Sequence, residues 1–142
     1  MKIKPTVTDR IQTKYTSFEI EFTLEANITF IAGDSGTGRS LVYSVLREYA
    51  AENRKIRCFN ALDQKTGYKT TIKKSKEKLF VIDNADTLLN DDLRRYIALD
   101  EKNQYIIFGR NPTGLMLGMD EIWELGSLTE EGITKFFLKH SF

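Results

Sequence analysis

Hydrophobic and charged residues alternate along the segment from Phe18 to Leu24, where Glu19 and Glu21 separate apolar positions. An alternation with a period of two is typical of a β-strand with one buried and one exposed face. The segment therefore predicts an antiparallel strand that lies at an edge of the sheet or over it. The next apolar stretch, Ile28 to Ala32, is nearly continuous and predicts a strand that helices cover on both faces.

Helical spacing follows from Arg39 onwards, because apolar residues recur every three or four positions as far as Ala50. This apolar stripe predicts an amphipathic helix that packs on the sheet. A second helix is expected to begin near Asn90, since asparagine is a good N-cap and the acidic residues Asp91 and Asp92 suit a first turn.

The remaining apolar stretches are short and predict four more strands: Lys55 to Asn60, Leu79 to Ile82, Tyr105 to Phe108 and Ile122 to Leu125. A final helix is expected after a cap at Ser127 or Thr129, with Ile133, Phe136 and Phe137 on its inner face. Strands that alternate with helices predict an α/β fold around a mainly parallel central sheet, with the N-terminal strand antiparallel.

A glycine-rich turn joins the strand at Ile28 to Ala32 to the following helix. Its eight residues, GDSGTGRS, match the pattern G-x-x-x-x-G-K-[ST] except that arginine replaces the lysine. Glycines let the backbone wrap around a phosphate with its N–H groups inward, and the helix N-terminus adds partial positive charge. We therefore predict that the turn and the residue after it bind nucleotide phosphates: Gly33, Asp34, Ser35, Gly36, Thr37, Gly38, Arg39, Ser40 and Leu41.

Two alternatives to this prediction stay open. The turn could simply join a strand to a helix, or it could be a degenerate loop that has lost its ligand. Nucleotide binding is favoured because the turn follows an apolar strand and opens an amphipathic helix, which is the context that a phosphate loop requires.

A second motif follows the strand at Leu79 to Ile82, which ends in Asp83. Ligands of open α/β sheets bind at the carboxyl ends of the strands. The Ser40 hydroxyl is therefore predicted to bind Mg²⁺, and the Asp83 carboxylate is predicted to hold the ion through water or through Ser40, while Arg39 faces the β- and γ-phosphates with a planar cation.

These two motifs together resemble those of the P-loop NTPases. The segment Asp83 to Asp86 is similar to the acidic box of AAA+ and STAND-type ATPases, and Phe108 to Asn111 is similar to their sensor-bearing strand. The amphipathic strand before the loop is similar to that of ABC and SMC-like ATPase cores. The resemblance implies a three-layer P-loop fold that binds ATP or ADP with Mg²⁺. Adenine is favoured over guanine only because the N-K-x-D motif is absent from the sequence.

The resemblance also implies weak or absent hydrolysis, because Asn84 stands where the family usually has a glutamate that polarises water. An amide can orient water but cannot accept its proton. Asp86 is a second candidate for that role, or else a carboxylate that caps a helix or faces solvent. Arg110 and Asn111 are expected either to sense the γ-phosphate or to hold the loop before Pro112.

Composition limits the classes of partner. The chain has 21 Lys and Arg against 20 Asp and Glu, a net charge of +1, so no overall field attracts nucleic acid. The lysine-rich segment from Lys65 to Lys78 is expected to be an exposed hairpin, and nucleic-acid binding through it is not favoured over simple solvation. No apolar run approaches the ~18 residues that span a bilayer. We expect one cytoplasmic domain over residues 1–142, with the single Cys58 as a buried apolar group.

Two functions remain open at this stage. The first is a nucleotide-binding protein with weak Mg²⁺-dependent ATPase activity. The second is a non-catalytic regulatory or protein-interaction module with a relic loop. A protein partner or a second copy could complete the site with an arginine, for which Arg94, Arg95 and Arg110 qualify by residue type. His140 and Trp123 are expected to have no catalytic role.

Overall fold

The computed structural model describes residues 3–33 and 38–142. Within these ranges eight strands form one sheet. The strands are β1 (Arg10–Tyr15), β2 (Phe18–Thr23), β3 (Ile28–Ala32), β4 (Ile56–Phe59), β5 (Leu79–Ile82), β6 (Gln104–Gly109), β7 (Ile122–Glu130) and β8 (Ile133–His140). The α-helices are α1 (Arg39–Ala51), α2 (Tyr68–Lys74), α3 (Ala85–Leu88) and α4 (Asp91–Leu99).

The sheet has the strand order β1-β2-β8-β7-β3-β6-β5-β4. Its five strands from β7 to β4 are all parallel to one another. The remaining part is mixed, because β1 pairs antiparallel with β2, β2 pairs parallel with β8, and β8 pairs antiparallel with β7. The prediction of a mainly parallel sheet is therefore confirmed for the central part only.

Helices lie on both faces of the parallel strands, which gives a mixed α/β architecture. Neighbouring residues of β3 illustrate this, since Phe30 packs in the core with α2, α3 and α4 while Ile31 packs in the core with α1. Both residues are buried. Helix α1 contacts β4 at one end of the sheet and β1 and β2 at the other, so the sheet curls around α1.

Several predicted elements are confirmed. β3 has the predicted bounds, and α1, β5 and β6 lie where the apolar patterns indicate. Asn90 caps α4 with its side-chain oxygen, which accepts the Leu93 N–H at 2.8 Å. The predicted antiparallel strand is β2, but it is not an edge strand, because β1, which was not predicted from the sequence, lies outside it.

The predicted final helix is wrong. Residues 122–140 form the antiparallel hairpin β7–β8 instead. Glu131 and Gly132, between the strands, have φ angles of 51° and 79°, the left-handed conformation of tight hairpin turns. The spacing of Ile133, Phe136 and Phe137 suits a helix, but the Glu-Gly turn and the strand partner decide the outcome.

The predicted lysine-rich hairpin is also wrong. The segment contains the short helix α2, because Tyr68 and Ile72, four residues apart, are both buried on the sheet. Most lysines of the segment are exposed, and Lys73 pairs with Asp92 at 3.5 Å. None of the helices in the described ranges is long and apolar enough to cross a membrane.

Candidate functional site

A cavity of about 600 Å³ lies beside the carboxyl ends of β5 and β6. Six of the polar or charged residues that line it were named in the sequence analysis as candidates: Arg39, Asn84, Asp86, Arg94, Arg110 and Asn111. Three of the six are arginines. We call this cavity, together with Asp83 behind it, the carboxyl-end site.

Arg39 and Asp83 form an ion pair at the base of the carboxyl-end site. The Arg39 Nε lies 3.3 Å from the Asp83 Oδ1, and the two side chains are only 13% and 11% exposed. The Arg39 Nη1 also donates a hydrogen bond to the Gly33 carbonyl at 3.1 Å. The distance to Asp83 is that of an ion pair, but the buried Nε has no hydrogen-bond acceptor among the described residues. A buried donor without an acceptor is costly, and a ligand in the cavity reaches Arg39 through the part of the side chain that borders it.

Gly38 holds the start of α1 in a conformation that few other residues adopt. Its φ angle is 91°, and a Cβ added there would lie 2.8 Å from the Phe136 ring. Backbone strain and the Phe136 contact therefore both require glycine at this position. The requirement is independent of any phosphate, so Gly38 by itself does not indicate a ligand.

Asn84 has a structural reason to be asparagine. Its φ angle of 55° is left-handed, a region that asparagine tolerates better than glutamate does. Its side-chain oxygen accepts the Ala61 N–H at 2.9 Å, which ties the end of β5 to the turn after β4. The backbone N–H of Asn84 donates to the Asp83 Oδ1 at 2.8 Å. The amide thus serves the local backbone as well as facing the cavity.

Asp86 orients the segment that leaves β6. One carboxylate oxygen accepts the Arg110 N–H at 3.0 Å, and the other accepts the Asn111 N–H at 3.1 Å. The Arg94 guanidinium lies 3.6 Å from the same carboxylate. The side chain faces the cavity, and both oxygens already hold backbone groups. Its contacts are those of a positioning residue for Arg110 and Asn111.

Arg94 lines the cavity, although the sequence indicated it only as an arginine that could complete the site of a second copy. It is 6% exposed, and it donates to the carbonyl oxygens of Leu89, Asn111 and Thr113. These contacts fix the wall of the cavity from inside the same chain, whereas Arg95 and Arg110 are exposed. The sequence contained one indication, because Arg94 lies three residues before the buried Ile97 and so borders the inner face of α4.

The remaining predicted residues either do not line the cavity or lie outside the described ranges. Ser40 is exposed in the first turn of α1, and Leu41 is partly buried against the core. The predicted phosphate ligands at positions 34–37 lie outside the described residues.

Cys58 and His140, which the sequence analysis considered individually, have structural rather than catalytic environments. Burial raises the pKa of the Cys58 thiol to about 12, so the thiol stays protonated at neutral pH. The His140 ring stacks on Trp123 with a centroid separation of 4.1 Å.

The fit to Mg²⁺ depends on Asp83. In the described part of the chain no three His, Cys, Asp or Glu side chains converge to hold a metal ion. The Oδ1 of Asp83 already meets a guanidinium and an N–H donor. The Arg39 guanidinium thus occupies the Asp83 oxygen that faces it, and Mg²⁺ binding by Ser40 and Asp83 stays a prediction that requires the Arg39–Asp83 pair to change.

No protein-family model, curated protein or solved structure matches this chain. The function of the site is therefore inferred from the chemistry of its residues alone.

Proposed function

We propose that this protein is a three-layer P-loop protein that binds a nucleotide, ATP or ADP, in the carboxyl-end site and hydrolyses it slowly or not at all. The observation that carries the proposal is Arg39. Its guanidinium follows the glycine-rich turn, borders the cavity and keeps a buried Nε without a hydrogen-bond acceptor among the described residues. A phosphate oxygen is the acceptor that arginine binds with most strength and specificity.

The position of the cavity in the fold supports this proposal. The connection after β3 passes to the face of α1, whereas the connection after the neighbouring β6 passes to the opposite face, where Leu115 is buried. A crevice opens at the carboxyl ends of two parallel strands whose connections diverge in this way. The volume of about 600 Å³ is in the range of small-molecule sites.

The same residues argue against efficient hydrolysis. Asn84 cannot accept a proton from an attacking water, and its side-chain oxygen is bonded to the Ala61 N–H. Asp86 uses both carboxylate oxygens to hold backbone N–H groups. A general base needs a lone pair that can accept a proton from the water, which the Asn84 amide lacks. Asp86 keeps a second lone pair on each oxygen, but its direction is fixed by the two backbone N–H groups.

One observation favours the second candidate function, a non-catalytic interaction module with a relic loop. Arg39 and Asp83 neutralise each other, as a site without a ligand would require. Under this alternative the pair is a structural contact and nothing binds in the cavity.

Isothermal titration calorimetry separates the two candidates. Purified protein, freed of any co-purified nucleotide, is titrated with ATP and with ADP. We expect micromolar binding, which corresponds to about 8 kcal/mol, and a loss of at least about 30-fold in Arg39→Ala, since charge-assisted hydrogen bonds contribute ~2 kcal/mol. Arg95→Ala is the matched control, because Arg95 is exposed and does not border this cavity. No heat from the wild type at millimolar ATP would favour the relic module.

A further inference from the structure

We infer that the carboxyl-end site takes its nucleotide as the metal-free anion, with the Arg39 guanidinium in place of a divalent cation. The inference rests on the proposed function and specifies its ligand. It depends on three features: the Arg39–Asp83 pair, the way each partner is fixed, and the arginines of the cavity wall.

The first feature is the occupation of the carboxylate. Asp83 is the residue that a magnesium site would need, and its Oδ1 lies 3.3 Å from the Arg39 Nε. A Mg²⁺ ion sits about 2.1 Å from a ligating oxygen. These contacts occupy Oδ1 only, but a Mg²⁺ ion held by either oxygen of Asp83, directly or through a water, would also lie near the Arg39 guanidinium. The two positive charges would repel each other.

The second feature is that neither partner is free to leave the pair easily. Arg39 cannot lose its charge, because the guanidinium stays protonated in proteins. It is also bonded to the Gly33 carbonyl through Nη1 and is 13% exposed. The Asp83 carboxylate is oriented by the N–H of Asn84, whose left-handed backbone directs that group. Moving Arg39 would leave a nearly buried carboxylate uncompensated.

The third feature is the charge that the wall offers to phosphates. Arg39, Arg94 and Arg110 border the cavity, where the carboxylates of Asp86 and Asp91 partly offset their charge. Arginines present several N–H donors in a fixed plane and bind phosphate oxygens in pairs. Arg94 is committed to three backbone carbonyls and to Asp86, so Arg39 is the guanidinium that takes the place of the metal ion in this inference.

Calorimetry with ATP tests the inference, once in buffer with EDTA and once with excess Mg²⁺. We expect dissociation constants that agree within about threefold between the two conditions. Binding that is at least tenfold tighter with Mg²⁺ would overturn the inference and leave the proposed function standing. No binding in either condition would overturn both.

Two variants sharpen the test. In Asp83→Asn the carboxylate is lost while Arg39 keeps its charge, so we expect ATP to bind in EDTA at least as tightly as to the wild type. A tenfold or greater loss in this variant would contradict the inference, since it would show that the carboxylate serves the ligand. In Arg39→Lys the shorter, compact cation leaves room at Asp83, and we expect ATP binding to become at least tenfold tighter with Mg²⁺ than without it. Thermal unfolding of each variant confirms that it is folded before titration.

Discussion

The two ends of the parallel strands carry polar clusters of opposite character. At the carboxyl ends, Arg39 keeps a buried Nε without an acceptor among the described residues, beside a cavity of about 600 Å³. At the amino ends, five buried residues form what we call the amino-end network: Asn27, Asp100, Asn103, Gln104 and Tyr105. Every one of these five side chains is hydrogen-bonded. A satisfied cluster stabilises a fold, whereas an unsatisfied one next to a cavity is suited to a ligand.

The amino-end network attaches the N-terminal segment to the sheet. Asn27 accepts the Thr6 N–H and donates to the carbonyls of Asp100 and Asn103. Gln104 accepts the N–H groups of two consecutive residues, Val7 and Thr8. The hydrogen bonds to the Asp100 and Asn103 carbonyls are buried and those to the N-terminal segment are partly buried, so amides satisfy backbone groups here that apolar side chains would leave without partners.

The largest expected effect on stability is that of Asn27→Ala. It leaves the Thr6 N–H and two carbonyls without their partner, so we expect a loss of about 3 kcal/mol in the free energy of unfolding, measured by urea denaturation. Asn53 is partly exposed and its side chain accepts the Lys55 N–H, so the control Asn53→Ala should lose less than ~1 kcal/mol. ATP affinity of folded Asn27→Ala should stay within about threefold of the wild type. A larger change in affinity would show that the two clusters are not independent.

A smaller loss is expected for Gly109→Ala, at the carboxyl end of β6. A Cβ there would lie 3.0 Å from the Ala85 Cβ and 3.3 Å from the Phe30 ring. Helix α3, which carries Asp86, would have to shift, so we expect a loss of about 1 to 3 kcal/mol together with weaker ATP binding. Gly67→Ala is the control, because an added Cβ has nothing within 4 Å of it. If Gly109→Ala lost stability but bound ATP as well as the wild type, the geometry held by Asp86 would not matter for the ligand.

The smallest effect is expected for Tyr105→Phe in the amino-end network. Burial and the Asp100 carboxylate raise the pKa of the Tyr105 phenol, which donates to the Asp100 Oδ2 at 2.6 Å. Losing this hydrogen bond should cost about 1 kcal/mol at pH 7. The pKa of the Tyr105 phenol is higher in the folded protein than its unfolded value of about 10. The stabilisation by the protonated phenol is therefore complete below about pH 10. Above that pH the free energy of unfolding falls by about 1.4 kcal/mol per pH unit.

Urea denaturation between pH 9 and 11 tests the sign of this linkage. The phenylalanine variant should lose stability less steeply above pH 10 than the wild type does. Residual steepness is expected in the variant, because burial also raises the pKa of Tyr43 and Tyr68. Equal slopes in both proteins would mean that the Tyr105 phenol does not contribute to the alkaline loss of stability.

The sequence predicted those parts of the fold whose local pattern and final surroundings agree. β3, β5 and β6 are continuous apolar strands that helices cover on both faces of the sheet. α1 and α4 each carry an apolar stripe, and α4 has a favourable N-cap and acidic first turn. The predicted strand at Ile122 to Leu125 is confirmed as part of β7, but local pattern failed for residues 127–140, where helical spacing of apolar residues competed with a Glu-Gly turn. It also failed for the lysine-rich segment, where two buried side chains outweighed six exposed or partly exposed lysines.

By itself the sequence determined a glycine-rich turn between a buried strand and an amphipathic helix, and an aspartate after a second buried strand. Both depend on residue type and spacing along the chain. Only the tertiary structure decided that Arg39 and Asp83 meet at 3.3 Å, that Asp86 holds the segment after β6, and that Arg94 forms a wall of the cavity. Such contacts join residues more than 15 positions apart, and their geometry depends on how the sheet and helices pack, which no local pattern encodes.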